Sequence, residues 1–355
     1  MTPRADQLLA GFAEGDAISQ DALLLQEVFR ALGLESEIFA PPVHIEPRAA
    51  GRVRPLSDYA GRPEDVAVLH DALAPEAARA FLASPARRVL RYHNITPAEF
   101  FTGFDDALAA RLRAARETLR TVAESAGAVW SDSAFNADEL AGWAVPRSRV
   151  LPLLFEHGAP RPEPDPDVLA RVGGPLANIL FVGRLAPNKR VEDLILAFHW
   201  YHRAVNPRSR LIVTGSERSC PRYAAMLRLL AHTLDLANVC FEGFASPAGL
   251  AALYARATLF VSASAHEGYC LPLVEAMAAG VPVIARRTGG MPEALGGAGI
   301  LYENLTAAQL GELMAEAIGN PAVRGPMLES QAKRMAIIRA RRPAEEIRAL
   351  LTELV

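Results

Sequence analysis

Two glutamates eight residues apart, Glu267 and Glu275, bracket Gly268 and Pro272 within the run Ser262 to Leu295. Gly268 lets a backbone approach a ligand closely, and the fixed φ of Pro272 suits the first position of a helix. Leu273, Val274, Met277 and Ala278 then recur at helical spacing, Gly280 is placed to close the helix, and Val281 to Ala285 reads as a short buried strand. The spacing predicts a helix from about Pro272 with Glu275 in its first turn. There the unpaired N–H groups and partial positive charge favour an anion such as a diphosphate, while a carboxylate accepts ligand hydroxyls. A second constellation, FVGRLAPNKRVEDLI, puts Arg184 and Lys189 after a predicted strand, where an arginine fork and a lysine point charge suit two linked phosphates. In RYHNITPAEF, His93 ends another predicted strand. Together these residues suit binding of a phosphorylated sugar.

The elements that would position them alternate, short β-branched runs with longer segments at helical spacing, as in parallel sheets covered by helices. In the first half, strands are expected near Gln7–Ala10, Glu35–Ala40, Val66–His70, Val89–His93, Ala128–Ser131 and Arg149–Leu153, with helices near Ala22–Leu32, Pro75–Leu82, Asp105–Ser125 and Phe135–Trp143. In the second, strands are expected at Ile179–Val182, Arg210–Thr214, Val239–Glu242, Thr258–Ser262, Val281–Ala285 and Gly299–Tyr302. Helices are expected there near Val191–Ala204, Tyr223–Thr233, Pro247–Ala255 and Pro272–Ala279. Two helical segments after Ala307 are expected to be interrupted at Pro321, Gly325 and Pro343. The closely spaced prolines of HGAPRPEPDPDVLARVGG read as a linker. The fold class is therefore α/β, divided into a first domain over 1–157, a linker over 158–174, a second domain over 175–342 and a final helix over 343–355.

The 355 residues suffice for two cores, and 51% hydrophobic with 22% charged residues is an ordinary globular balance. Lys+Arg 37 against Asp+Glu 40 gives a formal charge of −3, which argues against a nucleic-acid partner. Cys220, Cys240 and Cys270 form no CxxC pair, and no apolar run reaches spanning length or resembles a signal peptide, so a cytoplasmic location is expected. The Asp105–Ser125 helix repeats Leu108, Leu112, Ala115, Leu119 and Val122 inward and carries Arg111, Arg113, Arg116 and Arg120 elsewhere. Those arginines read as a solvated face, with peripheral membrane contact left open. No Walker loop or G-x-G-x-x-G follows a strand, so neither ATP hydrolysis nor hydride transfer has support.

The run H-E-G-Y-C-L-P-L-V-E-A-M-A-A-G-V-P-V-I-A resembles the donor-binding signature of the retaining glycosyltransferases of family 4, and the G-R-x-x-x-x-K run from Gly183 to Lys189 matches that family too. The similarity is densest from Ile179 to Leu295 and traceable from Gln7 to Pro152. It implies the GT-B fold: two Rossmann-like parallel-sheet domains facing each other across a cleft, with the last helix crossing back to the first domain. It implies that Arg184 and Lys189, after the turn at Gly183, hold the donor diphosphate, that Gly215 lines the same donor cleft, and that the turn of Gly243 and Phe244 meets the nucleobase largely through backbone atoms. Glu275 would hold the ribose, Glu267 the sugar, and the backbone of Gly268, Tyr269, Cys270 and Leu271 the sugar or phosphate oxygens. His93 would lie near the donor sugar.

The donor would be a UDP-, GDP- or ADP-sugar, and the acceptor a saccharide, a lipid-linked glycan or a small molecule. The reaction would be same-face attack without a covalent protein intermediate, catalysed by His93, Glu267, Arg184 and Lys189. No cofactor or metal is expected, because no D-x-D pair ends a strand near the cleft and cationic side chains already face the phosphates. Gly15, Asp16 and Asn94 fall on the acceptor side. Gly15-Asp16 departs from the family's paired glycines, and LLFEHG from its asparagine-glycine turn. A nucleotide-sugar epimerase of the same fold and a non-catalytic sugar-nucleotide-binding subunit stay open as other readings.

Overall fold

The structure, a computed structural model, describes residues 2–49, 51–70, 74–143, 145, 148–155 and 162–354. The chain divides into two compact units, one of Met1–Ala98, Ala107–Gly158 and Ala340–Val355, the other of Glu99–Asp106 and Ala159–Arg339.

In the first unit the strands are β1 (Ala5–Leu9), β2 (Ile38–Ala40), β3 (Arg54–Pro55), β4 (Val66–His70), β5 (Arg87–Tyr92), β6 (Ala128–Ser131) and β7 (Ser148–Val150). They form a parallel sheet in the order β3-β2-β1-β4-β5-β6-β7. The order reverses beside β1, and in such sheets ligands gather at the carboxyl ends near that switch. All of β1 and β4 is buried, as expected of parallel strands covered on both faces. The Asp106–Ser125 helix buries Ala109, Leu112, Ala115, Leu119 and Val122, so Ala109 takes the inward place expected of the half-buried Leu108. Of its arginines, Arg116 pairs with Glu139 and lies over the Trp143 ring, Arg120 lies 3.8 Å from Glu124, and Arg111 and Arg113 are exposed.

The second unit carries β8 (Ala177–Val182), β9 (Ser209–Thr214), β10 (Val239–Gly243), β11 (Leu259–Ser262), β12 (Val283–Arg286) and β13 (Ile300–Tyr302), again parallel, in the order β10-β9-β8-β11-β12-β13. Both sheets thus have the doubly wound order of a Rossmann-like domain, the pattern of the GT-B fold. Among the described residues no helix is long and apolar enough to cross a membrane.

Several elements differ from the sequence expectation. The proline-rich linker contains a helix, Pro166–Arg171, because Asp165 caps it by accepting from the backbone N–H of Asp167 and Val168. The anticipated break at Gly325 is absent: the Pro321–Arg339 helix runs through it and through Pro326. Packing outweighs propensity there, since the buried Gln331 donates to Val281 O and accepts from Val283 N–H, tying that helix to β12. The segment Glu99–Asp106 groups with the second unit, where Phe104 meets Tyr223 edge-on with ring centroids 5.5 Å apart. The LLFEHG departure falls largely on residues 156–158, outside the described residues.

The chain's last helix, Pro343–Thr352, belongs to the first unit, with Ile347 fully buried in the core formed by Val28, Phe29, Val68 and Leu151. An ion pair of Arg149 with Glu353 at 2.9 Å holds its end. Ile347→Ala removes three carbons from a closed core and is expected to cost about 2–5 kcal/mol of unfolding free energy, measured as a lowered midpoint in urea. An unchanged midpoint would mean that this helix contributes nothing to the first unit.

Candidate functional site

The loops after β8, β9 and β10 are stitched together by backbone. Gly183 N–H donates to Thr214 O at 3.0 Å, Leu185 N–H to Ser216 O at 2.9 Å, and Gly215 N–H to Gly243 O at 2.7 Å. The approach is so close that a Cβ on Gly215, at φ 145°, would lie 1.9 Å from Gly183 O, which leaves glycine the sole fit. Arg184, one residue on, is exposed and makes no hydrogen bond or ion pair among the described residues. Phe244, after β10, is 52% exposed, an unusual setting for a ring and a suitable face for a planar base.

Lys189 ends a 3-10 turn, Pro187–Lys189, and its Nζ lies 2.6 Å from Glu267 Oε1. Ser264 Oγ donates to the same oxygen at 2.8 Å. The two loops are also joined by backbone and amide: Ala265 N–H donates to Asn188 O at 2.8 Å, and Asn188 Nδ2 to His266 O at 3.1 Å. Behind Glu267 a third loop closes in, with Gly290 N–H on Glu267 O at 2.9 Å and Thr288 Oγ1 on Ala265 O at 3.0 Å. A Cβ on Gly289, at φ 54°, would lie 2.1 Å from Glu267 O. Gly289 and Ser264 were not among the expected site residues, although the TGG run after β12 was the available signal.

The helix after Glu267 spans Leu271–Ala278, begins from Cys270 in a left-handed conformation (φ 73°), and is closed by Gly280 at φ 72°. The helix begins one residue ahead of the expected Pro272 and its first turn holds no acidic residue, so Glu275 falls just past that turn rather than within it. There Glu275 Oε2 accepts from Tyr254 Oη at 2.8 Å. Burial pushes the Glu275 carboxyl up from the ordinary range, the Tyr254 bond opposing it only in part. Burial also raises the Cys270 thiol well above its ordinary value, with Glu267 adding to the effect. Gly268, Tyr269 and Cys270 lead from Glu267 into the helix that Leu271 opens, with Tyr269, Cys270 and Leu271 buried.

In the first unit, His93 follows β5 and is buried, its Nδ1 2.9 Å from Asp132 Oδ2 and its Nε2 2.9 Å from His70 Nδ1. Asn94, at φ 80°, donates from Nδ2 to Asn136 Oδ1 at 2.9 Å and to Glu139 Oε2 at 3.1 Å. Gly15 is left-handed at φ 77°. Asp16 caps the Ala17–Ala31 helix, its Oδ2 accepting from Ser19 N–H at 3.0 Å and Ser19 Oγ at 3.1 Å, so its carboxylate serves that helix. The structure thus joins Gly183, Lys189, Gly215, Gly243 and Glu267 through contacts at the carboxyl ends of the second sheet, while His93, Gly15, Asp16 and Asn94 lie in the first unit.

Residues 174–336 match the family described as "Glycosyl transferases group 1". The chain is 30% identical over 124 residues to O-antigen chain mannosyltransferase B of Escherichia coli, covering 35% of this chain and 32% of that one. It is 38% identical over 110 residues to a GDP-mannose-dependent alpha-mannosyltransferase of Mycolicibacterium smegmatis, covering 31% and 25%. The chain therefore spans about a third and a quarter of the length of these curated relatives. In fold it is similar to sucrose-phosphate synthase from Thermosynechococcus elongatus, with a TM-score of 0.73, 19% identity and 99% of each chain covered.

The raised Glu275 carboxyl has a signed consequence for stability. A carboxyl that holds its proton more tightly folded than unfolded makes the fold lose stability as pH rises from the ordinary value of 4.5 toward its raised value. Glu275→Gln abolishes that loss and keeps an acceptor for Tyr254. The variant's stability relative to the parent is expected to grow as pH climbs through this window, followed by thermal unfolding between pH 4 and pH 8. A difference that shrinks with rising pH would contradict the assignment.

Proposed function

We propose, from the membership of residues 174–336 in the glycosyl transferases group 1 family, that this chain transfers a hexose from a nucleoside-diphosphate sugar to a hydroxyl of a saccharide, lipid-linked glycan or small molecule. The observation that carries the reading is the meeting of Lys189 and Glu267 at the carboxyl ends of β8 and β11, beside the glycine-lined loops. A parallel sheet takes phosphorylated ligands at this edge.

An ammonium has three donors, and Lys189 gives one to Glu267, so two stay available for phosphate oxygens. The exposed Arg184 guanidinium supplies a fork for the same diphosphate. Both bonds that Lys189 and Ser264 make to Glu267 use Oε1, and Oε2 is the proposed acceptor for a sugar hydroxyl. Glu275 is assigned to the ribose and Phe244 to the base. Gly268 and the backbone through Leu271 are assigned to sugar or phosphate oxygens, and Gly15, Asp16 and Asn94 to the acceptor. His93 is the proposed contributor to turnover from the first unit.

Departure of a nucleoside diphosphate needs charge stabilisation more than a proton donor, which Arg184 and Lys189 provide. The acceptor hydroxyl is proposed to attack the face that the diphosphate leaves, a phosphate oxygen taking its proton, so the anomeric configuration is retained. Mannose from a guanosine donor is the favoured substrate, supported by the names of the two relatives above. Glucose from a uridine donor is the second. An O-antigen mannosyltransferase among the relatives supports a role in cell-surface polysaccharide synthesis.

Calorimetric titration with GDP-mannose, UDP-glucose and ADP-glucose tests the reading. GDP-mannose is expected to bind, and Arg184→Ala to weaken it about tenfold to a hundredfold, as loss of a hydrogen bond to a charged group does. If none of the three binds, the transferase reading fails. A free sugar or an isomerised donor as product would move it to the epimerase.

A further inference from the structure

Four side chains from distant parts of the sequence form one buried line: Gln7 from the middle of β1, His70 at the end of β4, His93 just after β5 and Asp132 just after β6. Gln7 Oε1 is 2.8 Å from His70 Nε2, His70 Nδ1 is 2.9 Å from His93 Nε2, and His93 Nδ1 is 2.9 Å from Asp132 Oδ2. The two ends fix the polarity of the whole line. The Gln7 amide is oriented by its Nε2, which donates to Ala22 O at 2.9 Å, so the carbonyl oxygen faces His70 and His70 Nε2 must carry a hydrogen. At the other end Asp132, whose Oδ1 lies 3.1 Å from Arg91, is a carboxylate, so His93 Nδ1 carries a hydrogen as well. Between the rings, two nitrogens 2.9 Å apart share a third. Two neutral imidazoles hold only two such hydrogens, so the pair has one proton more.

The charge balance points the same way by a separate route. The charged groups facing the pair among the described residues are Asp21 from the Ala17–Ala31 helix, Arg91 from β5 and Asp132 after β6, all buried. Two carboxylates and one guanidinium sum to −1, and a single imidazolium brings the cluster to neutrality, as a buried set of charges requires.

We infer that His70 and Gln7 are positioning residues that hold His93 as an imidazolium, gripped by Asp132 on one side and by the bare Nδ1 of His70 on the other. Burial and the neighbouring His93 push His70 well below the ordinary imidazole range, which leaves the proton on His93. Burial alone would raise the Asp21 carboxyl, but Arg91 and the histidines outweigh it and hold it down to about 2. Asp21, His70 and His93 also bring three ligand atoms within 4.8 Å of one another, the spacing of a cation site. Yet Asp21 is already bonded by Arg91 Nε at 3.0 Å and Leu154 N–H at 2.9 Å, and a divalent ion would face that guanidinium. A proton suits the cluster and a metal does not.

The test is nitrogen NMR of the full chain labelled with 15N-histidine, the two rings assigned through His70→Gln and His93→Gln. At pH 8, where an ordinary imidazole is neutral, His93 is expected to show both nitrogens protonated and His70 one. Two neutral rings at pH 8 would overturn the inference. Gln7→Leu removes the acceptor that forces hydrogen onto His70 Nε2 and is expected to lower the pH at which the pair loses its proton by about one unit, while Gln7→Glu raises it by a similar amount. Opposite signs distinguish this role from a packing effect, and shifts of the same sign in both variants would remove Gln7 from it. The spectra need no sugar nucleotide, so their outcome stands apart from that of the donor titration.

Discussion

The carboxylate of Glu267 is the point at which the loops of the second sheet are tied together. Lys189 reaches it from the turn after β8 at 2.6 Å, Ser264 from the loop after β11, and the loop after β12 presses on its backbone through Gly289 and Gly290. Three strand ends would otherwise carry independent, mobile loops, since loops of a parallel sheet share no hydrogen-bond ladder with one another. Here one part-buried ion pair and Gly289, which has no room for a Cβ, fix their spacing. Removing the lysine would leave the buried Glu267 carboxylate without its countercharge. The phosphate-facing and sugar-facing sides of the proposed donor site are therefore set by one and the same contact.

The second sheet is organised for close backbone approach and the first for buried charge. Around Gly183, Gly215 and Gly243 the chain offers backbone atoms and one exposed guanidinium. Around His93 it offers a line of buried side chains joined by hydrogen bonds, from Gln7 through His70 and His93 to Asp132. A ligand can be met by the former without rearranging it, whereas in the latter both ring nitrogens of His93 are already engaged.

Much of this organisation was legible in the sequence. Buried central strands such as Val66–His70 and Ala128–Ser131, and the Val191–Ala204 helix, have the expected bounds because their apolar patterns are uninterrupted and their ends carry turn residues. Elements set by tertiary partners were not legible: β3 is two exposed residues, and the Pro166–Arg171 helix lies among prolines that favour extended backbone. Glu275 was placed within the first turn rather than just past it because helix onset, one residue ahead of Pro272, depends on the left-handed Cys270, a conformation that composition does not announce. His93 was singled out but its neighbours were not, since Gln7, His70 and Asp132 are brought together only by the register that pairs Leu9 with His70 and His70 with Arg91. A histidine closing the strand Val66–His70 was the hint available.

The core that holds Ile347 bears on how the polypeptide acquires its shape during synthesis. The contiguous stretch from Ala159 to Arg339 can collapse once it has emerged, whereas the half translated before it must wait for the Pro343–Thr352 helix on the far side of that stretch. Until then the groove between the Ala17–Ala31 helix and its sheet is unfilled, an apolar surface open to chaperones and to neighbouring nascent chains. A truncation ahead of Pro343 would therefore damage the amino-terminal half, although every residue of its sheet had been made.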